Sequence, residues 1–240
     1  MDKFFIESVL QEGNVALEGR FTYSSNDTFL VRAQYQDEII NAVYKPQRGE
    51  TPLWDFPHHT LAKREVAAYQ LCEKLGWQFV PPTVFRKTKL PLGAGSLQLF
   101  MEHDPDSHYF NFDDTQRQML KPVVLFDLIT NNADRKGGHA FVDMEGHLWA
   151  IDHGLCFHEQ EKLRTVIWDF AGESIPAKLL DDLERLLSDL QRGKPLEGML
   201  AVYLTPVEIG ALRTRIKQYV ELGVFPQPPQ DRRPFPWPPV

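Results

Sequence analysis

Asp134-Arg135-Lys136-Gly137-Gly138-His139 is followed by an apolar run that closes on Ile151-Asp152-His153-Gly154. The first aspartate sits on a polar turn after an apolar stretch over 122–130. The second stands eighteen positions on, at the end of a strand-like run over 148–151. Between them Glu145-Gly146 reads as a hairpin turn joining short strands near 140–143 and 148–151. Phosphoryl transfer uses two carboxylates in this relation: one orients the attacking hydroxyl, and the other holds a divalent cation on nucleotide phosphates. Asp134 is thus a candidate catalytic base and Asp152 a candidate metal ligand.

Upstream, the first hundred residues read as strands with one helix. Residues 15–22 and 28–35 are strand-like and flank a turn-rich stretch, Tyr23-Ser24-Ser25-Asn26-Asp27. A third strand over 39–44 ends at Lys45-Pro46. Thr60 is placed to cap a helix over 61–75, with Gly76 closing it. Pro81-Pro82 precedes a strand near 83–86, and Gly93-Ala94-Gly95 turns into an apolar strand over 96–101. Downstream of Glu102-His103-Asp104-Pro105-Asp106 the chain becomes mostly helical, with a core helix over 122–130 and amphipathic helices over 177–192 and 206–222. Seven of the last fifteen residues are proline, so 226–240 is expected to be extended and irregular. The expected fold class is α+β, in two lobes: a small β-rich lobe over 1–101, a hinge near 101–105, a larger α-rich lobe over 102–225, and the proline-rich tail. A cleft between such lobes suits a small ligand.

The chain has 240 residues, 42% hydrophobic and 25% charged, with a formal net charge of -7. An acidic balance argues against nonspecific nucleic-acid binding. No 18-residue apolar run suits a membrane span, and residues 1–7 lack the apolar core of a signal peptide. Cys72 and Cys156 lie in apolar contexts and read as buried free thiols. A cytoplasmic protein is expected.

Alternation along the third strand points Lys45 into the cleft, where it can bind nucleotide phosphates; a solvated strand-end lysine is the other reading. Glu65 favours the first. Leu61, Glu65, Ala68, Cys72 and Leu75 fall on one helix face, apolar except for Glu65. An inward carboxylate needs a partner, and Lys45 is the natural one. Ser24, Ser25 and Asn26 offer small polar groups to phosphate; a plain hairpin turn is the alternative. Arg135 and Lys136 can neutralise phosphoryl charge, and for Arg135 a structural ion pair is an equal reading. Asn131 and Asn132 are read as shaping the turn. His139 and His153 flank the aspartates, but no H-E-x-x-H or clustered Cys/His pattern supports a dedicated zinc site.

Taken together, Ser24-Ser25, Val43-Tyr44-Lys45-Pro46, Arg64-Glu65-Val66-Ala67-Ala68-Tyr69-Gln70-Leu71, Val80-Pro81-Pro82-Thr83, Gly95-Ser96-Leu97-Gln98-Leu99-Phe100, Asn132-Ala133-Asp134-Arg135 and Ile151-Asp152-His153-Gly154 are ordered as in one family. Over about residues 15–170 the chain resembles the phosphatidylinositol 3-/4-kinase-like superfamily, nearest in motif style to type II phosphatidylinositol 4-kinases and their bacterial relatives. The resemblance implies a protein-kinase-like fold, a Lys45–Glu65 phosphate-binding pair, adenine held by the backbone of Met101, Glu102 and His103, Asp134 as catalytic aspartate and Asp152 in the metal motif. It implies ATP with Mg²⁺ or Mn²⁺. His139 stands where the family usually has a metal-binding asparagine, and His153 follows Asp152 in the metal motif. A neutral imidazole can bind a divalent metal but suits Mg²⁺ less well than oxygen does.

The expected activity is transfer of the γ-phosphate of ATP to a hydroxyl of an acceptor. A protein or small molecule is favoured over a membrane lipid, because the chain is acidic and has no basic amphipathic membrane helix. Lys162 and Arg164, in the stretch after Asp152, can attract an anionic substrate; a solvated basic pair is the other reading. The alternatives are a nucleotide-binding pseudokinase acting as regulator or scaffold, and transfer of AMP instead of phosphate. The proline-rich tail is a candidate ligand for a partner's aromatic groove.

Overall fold

The computed structural model describes residues 2–22 and 26–240; Ser24 and Ser25 lie outside the described residues. The first helix, α1 (Lys3–Glu12), is followed by β1 (Asn14–Arg20), β2 (Phe29–Tyr35) and β3 (Glu38–Pro46). Next come α2 (Leu61–Leu75), β4 (Thr83–Arg86) and β5 (Gly95–Leu99). These five strands form one antiparallel sheet in the order β1-β2-β3-β5-β4. Ala42 and Tyr44 of β3 pack into the core of this sheet with Val31, Leu97 and Leu10. Strand alternation therefore turns Val43 and Lys45 to the opposite face, where they line the cleft.

Helix α1 was not among the expected elements, although Ile6, Val9 and Leu10 carry the i, i+3, i+4 spacing of a helix face. Val9 and Leu10 are fully buried. The boundaries of α2 are as expected, and Gly76 closes it in the left-handed conformation (φ 74°) that glycine adopts freely. Thr60 does not cap it. Its hydroxyl donates to the Pro57 carbonyl at 2.7 Å and accepts from Arg64 Nε at 3.3 Å, so it serves the preceding turn.

The remaining elements are mostly helical: α3 (Asp114–Gln118), α4 (Lys121–Thr130), α5 (Ala177–Asp189), α6 (Pro195–Leu200) and α7 (Pro206–Leu222). A two-stranded hairpin, β6 (Ala140–Val142) with β7 (Leu148–Ala150), lies among them. Gly146 in its turn has φ 82°. The larger core draws on α4, α5, α7 and the hairpin, and also on Ala67, Ala68, Leu71, Cys72 and Leu75 of α2. Helix α2 thus belongs to both lobes: it carries Glu65 under the sheet and is packed into the helical core. This is a two-lobed α+β fold of the protein-kinase kind.

Cys72 and Cys156 are free and buried, and burial pushes the Cys72 thiol up to about 12. Among the described residues, no helix is long and apolar enough to cross a membrane.

Candidate active site

Between the lobes lies a cleft of about 590 Å³, walled by Val43, Leu99, Phe100, Phe141 and Ile151 among others. At its inner end Lys45 bridges two carboxylates. Its Nζ donates to Glu65 Oε1 and, at 2.9 Å, to Asp152 Oδ1. The other oxygen of Glu65 accepts the backbone N–H of His153 at 2.9 Å. One buried carboxylate therefore fixes both the lysine and the turn that carries Asp152, and its desolvation is offset by hydrogen bonds. Burial disfavours the Lys45 charge, but the facing Asp152 and Glu65 carboxylates outweigh it and hold the ammonium protonated above its ordinary range. Burial likewise disfavours the Asp152 carboxylate, and the Lys45 ammonium more than compensates, holding it well below the usual carboxylate range. Its side chain is 45% exposed, so solvent screens part of this interaction. Asp152 has φ 61°, a left-handed conformation that aspartate tolerates better than most residues, and this turns the chain out of β7.

Asp134 lies on the same cleft. Its position is set by a nested turn. Asn132 Oδ1 accepts the Asp134 N–H at 3.0 Å, and Asn132 Nδ2 donates to Asp127 Oδ1 at 2.9 Å. Asn131 ends α4 in the left-handed conformation (φ 57°) and donates to the His158 and Gln160 carbonyls at 2.9 and 2.6 Å. Both asparagines therefore build the turn. Lys136 Nζ stands 3.5 Å from Asp134 Oδ2. Burial raises the Asp134 carboxyl, the Lys136 ammonium only partly offsets it, and the nearby Asp152 charge raises it further; the result is about 6.

Arg135 does not face the cleft. Its side chain is 0% exposed and forms a two-pronged pair with Asp127, Nε to Oδ2 at 2.8 Å and Nη2 to Oδ1 at 3.0 Å. Nη1 donates to the His139 and Ile151 carbonyls at 3.1 and 2.8 Å, and Nη2 meets His153 Nε2 at 2.8 Å. The expectation that Arg135 neutralises phosphoryl charge is corrected here. Every arm of the guanidinium is taken by the protein, and it ties the Asp134 loop to the strand that delivers Asp152. Asp127 and His153, which complete this hub, gave no sequence signal: an aspartate inside an apolar helix and a histidine beside a metal motif are each ambiguous alone.

His139 Nε2 lies 3.4 Å from Asp152 Oδ2. Burial lowers its pKa to about 4, against a smaller opposing pull from Asp152, so the ring is neutral at pH 7. The Lys136 N–H faces Nδ1 at 3.4 Å, which assigns the ring proton to Nε2, pointing at Asp152. Among the described residues no group of three or more His, Cys, Asp and Glu side chains is arranged to hold a metal. Asp152 and His139 together offer one oxygen and one nitrogen. That fits a divalent cation whose remaining positions come from phosphate oxygens and water, once the ring proton has shifted from Nε2 to Nδ1.

At the outer end, His103 stacks on Phe141 with ring centroids 3.7 Å apart and 14° between planes. Its Nδ1 lies 3.0 Å from the Met101 carbonyl. The N–H groups of Met101, Glu102 and His103 carry no protein partner among the described residues. Asn26 Oδ1 accepts the Thr51 N–H at 2.7 Å, and Asn26 borders the inner end of the cleft beside Lys45 and Glu65. Lys162, offered as an attractor of anions, pairs with Asp55 at 3.0 Å and lies over the Trp54 ring.

Fold and site together define a protein-kinase-like protein. Residues 31–204 match the family described as phosphatidylinositol 3- and 4-kinase, and the chain belongs to that family. It is 36% identical over 269 aligned positions to Protein Rv2133c of Mycobacterium tuberculosis, covering 96% of this chain and 94% of that one. It is 32% identical over 124 positions to phosphatidylinositol 4-kinase gamma 4 of Oryza sativa subsp. japonica, covering 45% of this chain and 22% of the rice protein. Among solved structures, the Golgi casein kinase with Mn/ADP bound superposes with a TM-score of 0.55 at 14% identity, over 91% of this chain and 74% of that chain. The Helicobacter pylori proinflammatory kinase CtkA gives 0.55 at 11% identity, over 90% and 94%. At such identities these likenesses bear on the fold alone.

Proposed function

We propose that this protein is an ATP-dependent phosphotransferase that moves the γ-phosphate to a hydroxyl of an acceptor. The observation that carries the reading is the Lys45 bridge between Glu65 and Asp152, with Asp134 on the same cleft. In this reading adenine enters the apolar outer end and meets the free N–H groups of residues 101–103. Lys45 then holds phosphate oxygens, with Glu65 fixing it in place. Asp134 accepts a hydrogen bond from the acceptor hydroxyl, orients it, and takes its proton late in the transfer. Lys136 provides positive charge beside it. Asn26 extends the phosphate end, and Ser24 and Ser25 are assigned the same task from sequence alone. Asp152 and His139 would hold the divalent cation, which when bound neutralises phosphate charge.

A second reading, a nucleotide-binding regulator with little turnover, is favoured by one observation: the neutral His139 ring directs its proton at Asp152, where the family usually has an oxygen ligand. ATP labelled on the γ- or the α-phosphate separates the readings. Label passing from the γ position into product, lost in Asp152→Ala, supports the kinase. Label passing from the α position means AMP transfer. Binding without transfer of either supports the regulator.

A further inference from the structure

The proline-rich tail is not loose. Residues 132–135 run beside residues 164–166: Arg164 N–H donates to the Asn132 carbonyl at 2.9 Å, Arg135 N–H to the Arg164 carbonyl at 3.0 Å, and Val166 N–H to the Arg135 carbonyl at 3.1 Å. This parallel bridge uses one edge of the 164–166 segment. The Thr165 N–H points from the other edge, and the tail takes it: Pro234 O accepts it at 2.9 Å. Five residues on, Pro239 O accepts the N–H of Gly137 at 2.8 Å. Gly137 is three residues from Asp134, so their Cα atoms are no more than about 11 Å apart. Arg232 adds a 3.2 Å contact to Glu161.

Two features distinguish this from ordinary packing. Apart from that ion pair, the hydrogen bonds that hold residues 232–239 are made by their main chain. Pro236 is buried, but Trp237 is 72% and Val240 62% exposed. And residues 226–240 contain no serine, threonine or tyrosine. Two backbone donors beside the catalytic turn that hold main-chain carbonyls can read a peptide with little regard to its side chains. Proline has few backbone conformations to lose, so seating this segment costs little ordering entropy.

We propose that residues 234–239 occupy the acceptor groove of this kinase as a hydroxyl-free stand-in, and that the acceptor is a polypeptide, held by its main chain, that must displace them. The inference rests on the phosphotransferase reading above. The tail both blocks the groove and reveals what it fits.

The test gives the tail the hydroxyl it lacks. Phe235→Ser, Trp237→Ser and Val240→Ser change side chains with no assigned partner in the fold or the site. With γ-labelled ATP, at least one variant is expected to label its own tail. The bond from the γ-phosphorus to the ADP oxygen breaks, a bond to the seryl oxygen forms, the seryl proton passes to Asp134, and ADP leaves. The rate per molecule should be independent of protein concentration, and Asp134→Ala in the same background should abolish it. A complementary variant, Pro236→Asp, places a charge in a buried position and lifts the tail. It should raise phosphorylation of an added pool of Ser/Thr/Tyr peptides at least tenfold, with KM for ATP unchanged. If Asp134-dependent ATP hydrolysis is present but no serine is labelled and the lifted tail leaves peptide phosphorylation unchanged, the groove proposal is wrong and the kinase reading stands. If the lifted tail instead exposes activity on phosphatidylinositol vesicles and none on peptides, the acceptor class is wrong. If no variant turns over ATP at all, both readings fall.

Discussion

Asp134 is held where its charge is uncomfortable, with burial raising its carboxyl to about 6. A base must be ionised to accept a proton, so turnover is expected to rise with pH along a limb centred near 6. Lys136→Gln removes the ammonium that lowers this value and should move the limb upward; an unmoved limb would remove Asp134 from the role. The same burial makes a stability prediction. The folded chain binds this proton more tightly than the unfolded chain, whose value is near 3.8. Stability associated with the group is therefore fullest below about pH 4 and is lost as the pH climbs through 6. Asp134→Asn should be more stable than wild type at pH 8 by on the order of 1–2 kcal/mol after discounting for partial exposure, a few degrees in Tm. The difference should vanish below pH 4. His139 makes a separate claim about metal choice. A nitrogen donor favours Mn²⁺ over Mg²⁺ relative to an oxygen donor. His139→Asn should therefore raise the Mg²⁺-supported rate several-fold relative to the Mn²⁺-supported rate, and an unchanged ratio contradicts a place for His139 at the metal. At this scale the sequence was readable for residues with unusual surroundings, such as Glu65 on its apolar stripe. It was not readable for Arg135, whose partner Asp127 sits in an apolar helix and whose other partners are backbone carbonyls and the His153 ring.

Helix α2 shows the same division one level up. Its limits and inward stripe were legible because apolar periodicity and a glycine stop are local signals. Its anchorage was not. Arg64 precedes Glu65, and its side chain is 1% exposed. It pairs with Glu208 on α7 and donates to the Cys156 carbonyl at 2.6 Å. Glu208 also closes the capping box of α7, accepting the Thr205 N–H at 2.8 Å. One carboxylate thus caps one helix and neutralises the buried cation of another. Glu208→Ala leaves Arg64 buried and unpaired and should cost about 3–5 kcal/mol in urea unfolding, whereas Lys217→Ala on the exposed face of α7 should cost little. Equal losses would mean that the Arg64–Glu208 pair does not anchor α2. Helix α1 was missed because it is short and its first turn carries exposed Phe4, which masks the face that Ile6, Val9 and Leu10 present to the sheet.

For the whole molecule, these connections mean that the inner end of the cleft is held together by the protein's own contacts. Lys45, Glu65 and Asp152 are joined, and α2 is packed into the larger core. ATP with Mn²⁺ at about 100 times its Kd should stabilise the chain by about 2.7 kcal/mol, several degrees in Tm, and Lys45→Met should remove most of this shift. The order of most strands and helices was legible because each motif is local. The course of the proline-rich tail was not, since irregular sequence carries no period from which to place it. The central claim is that this site transfers phosphate, and that claim is tested most directly by ADP release from ATP with Mg²⁺ or Mn²⁺, wild type against Asp134→Asn. The account predicts measurable turnover that falls at least ~100-fold in the variant; equal rates in the two proteins, or none in the wild type with either metal, would contradict it.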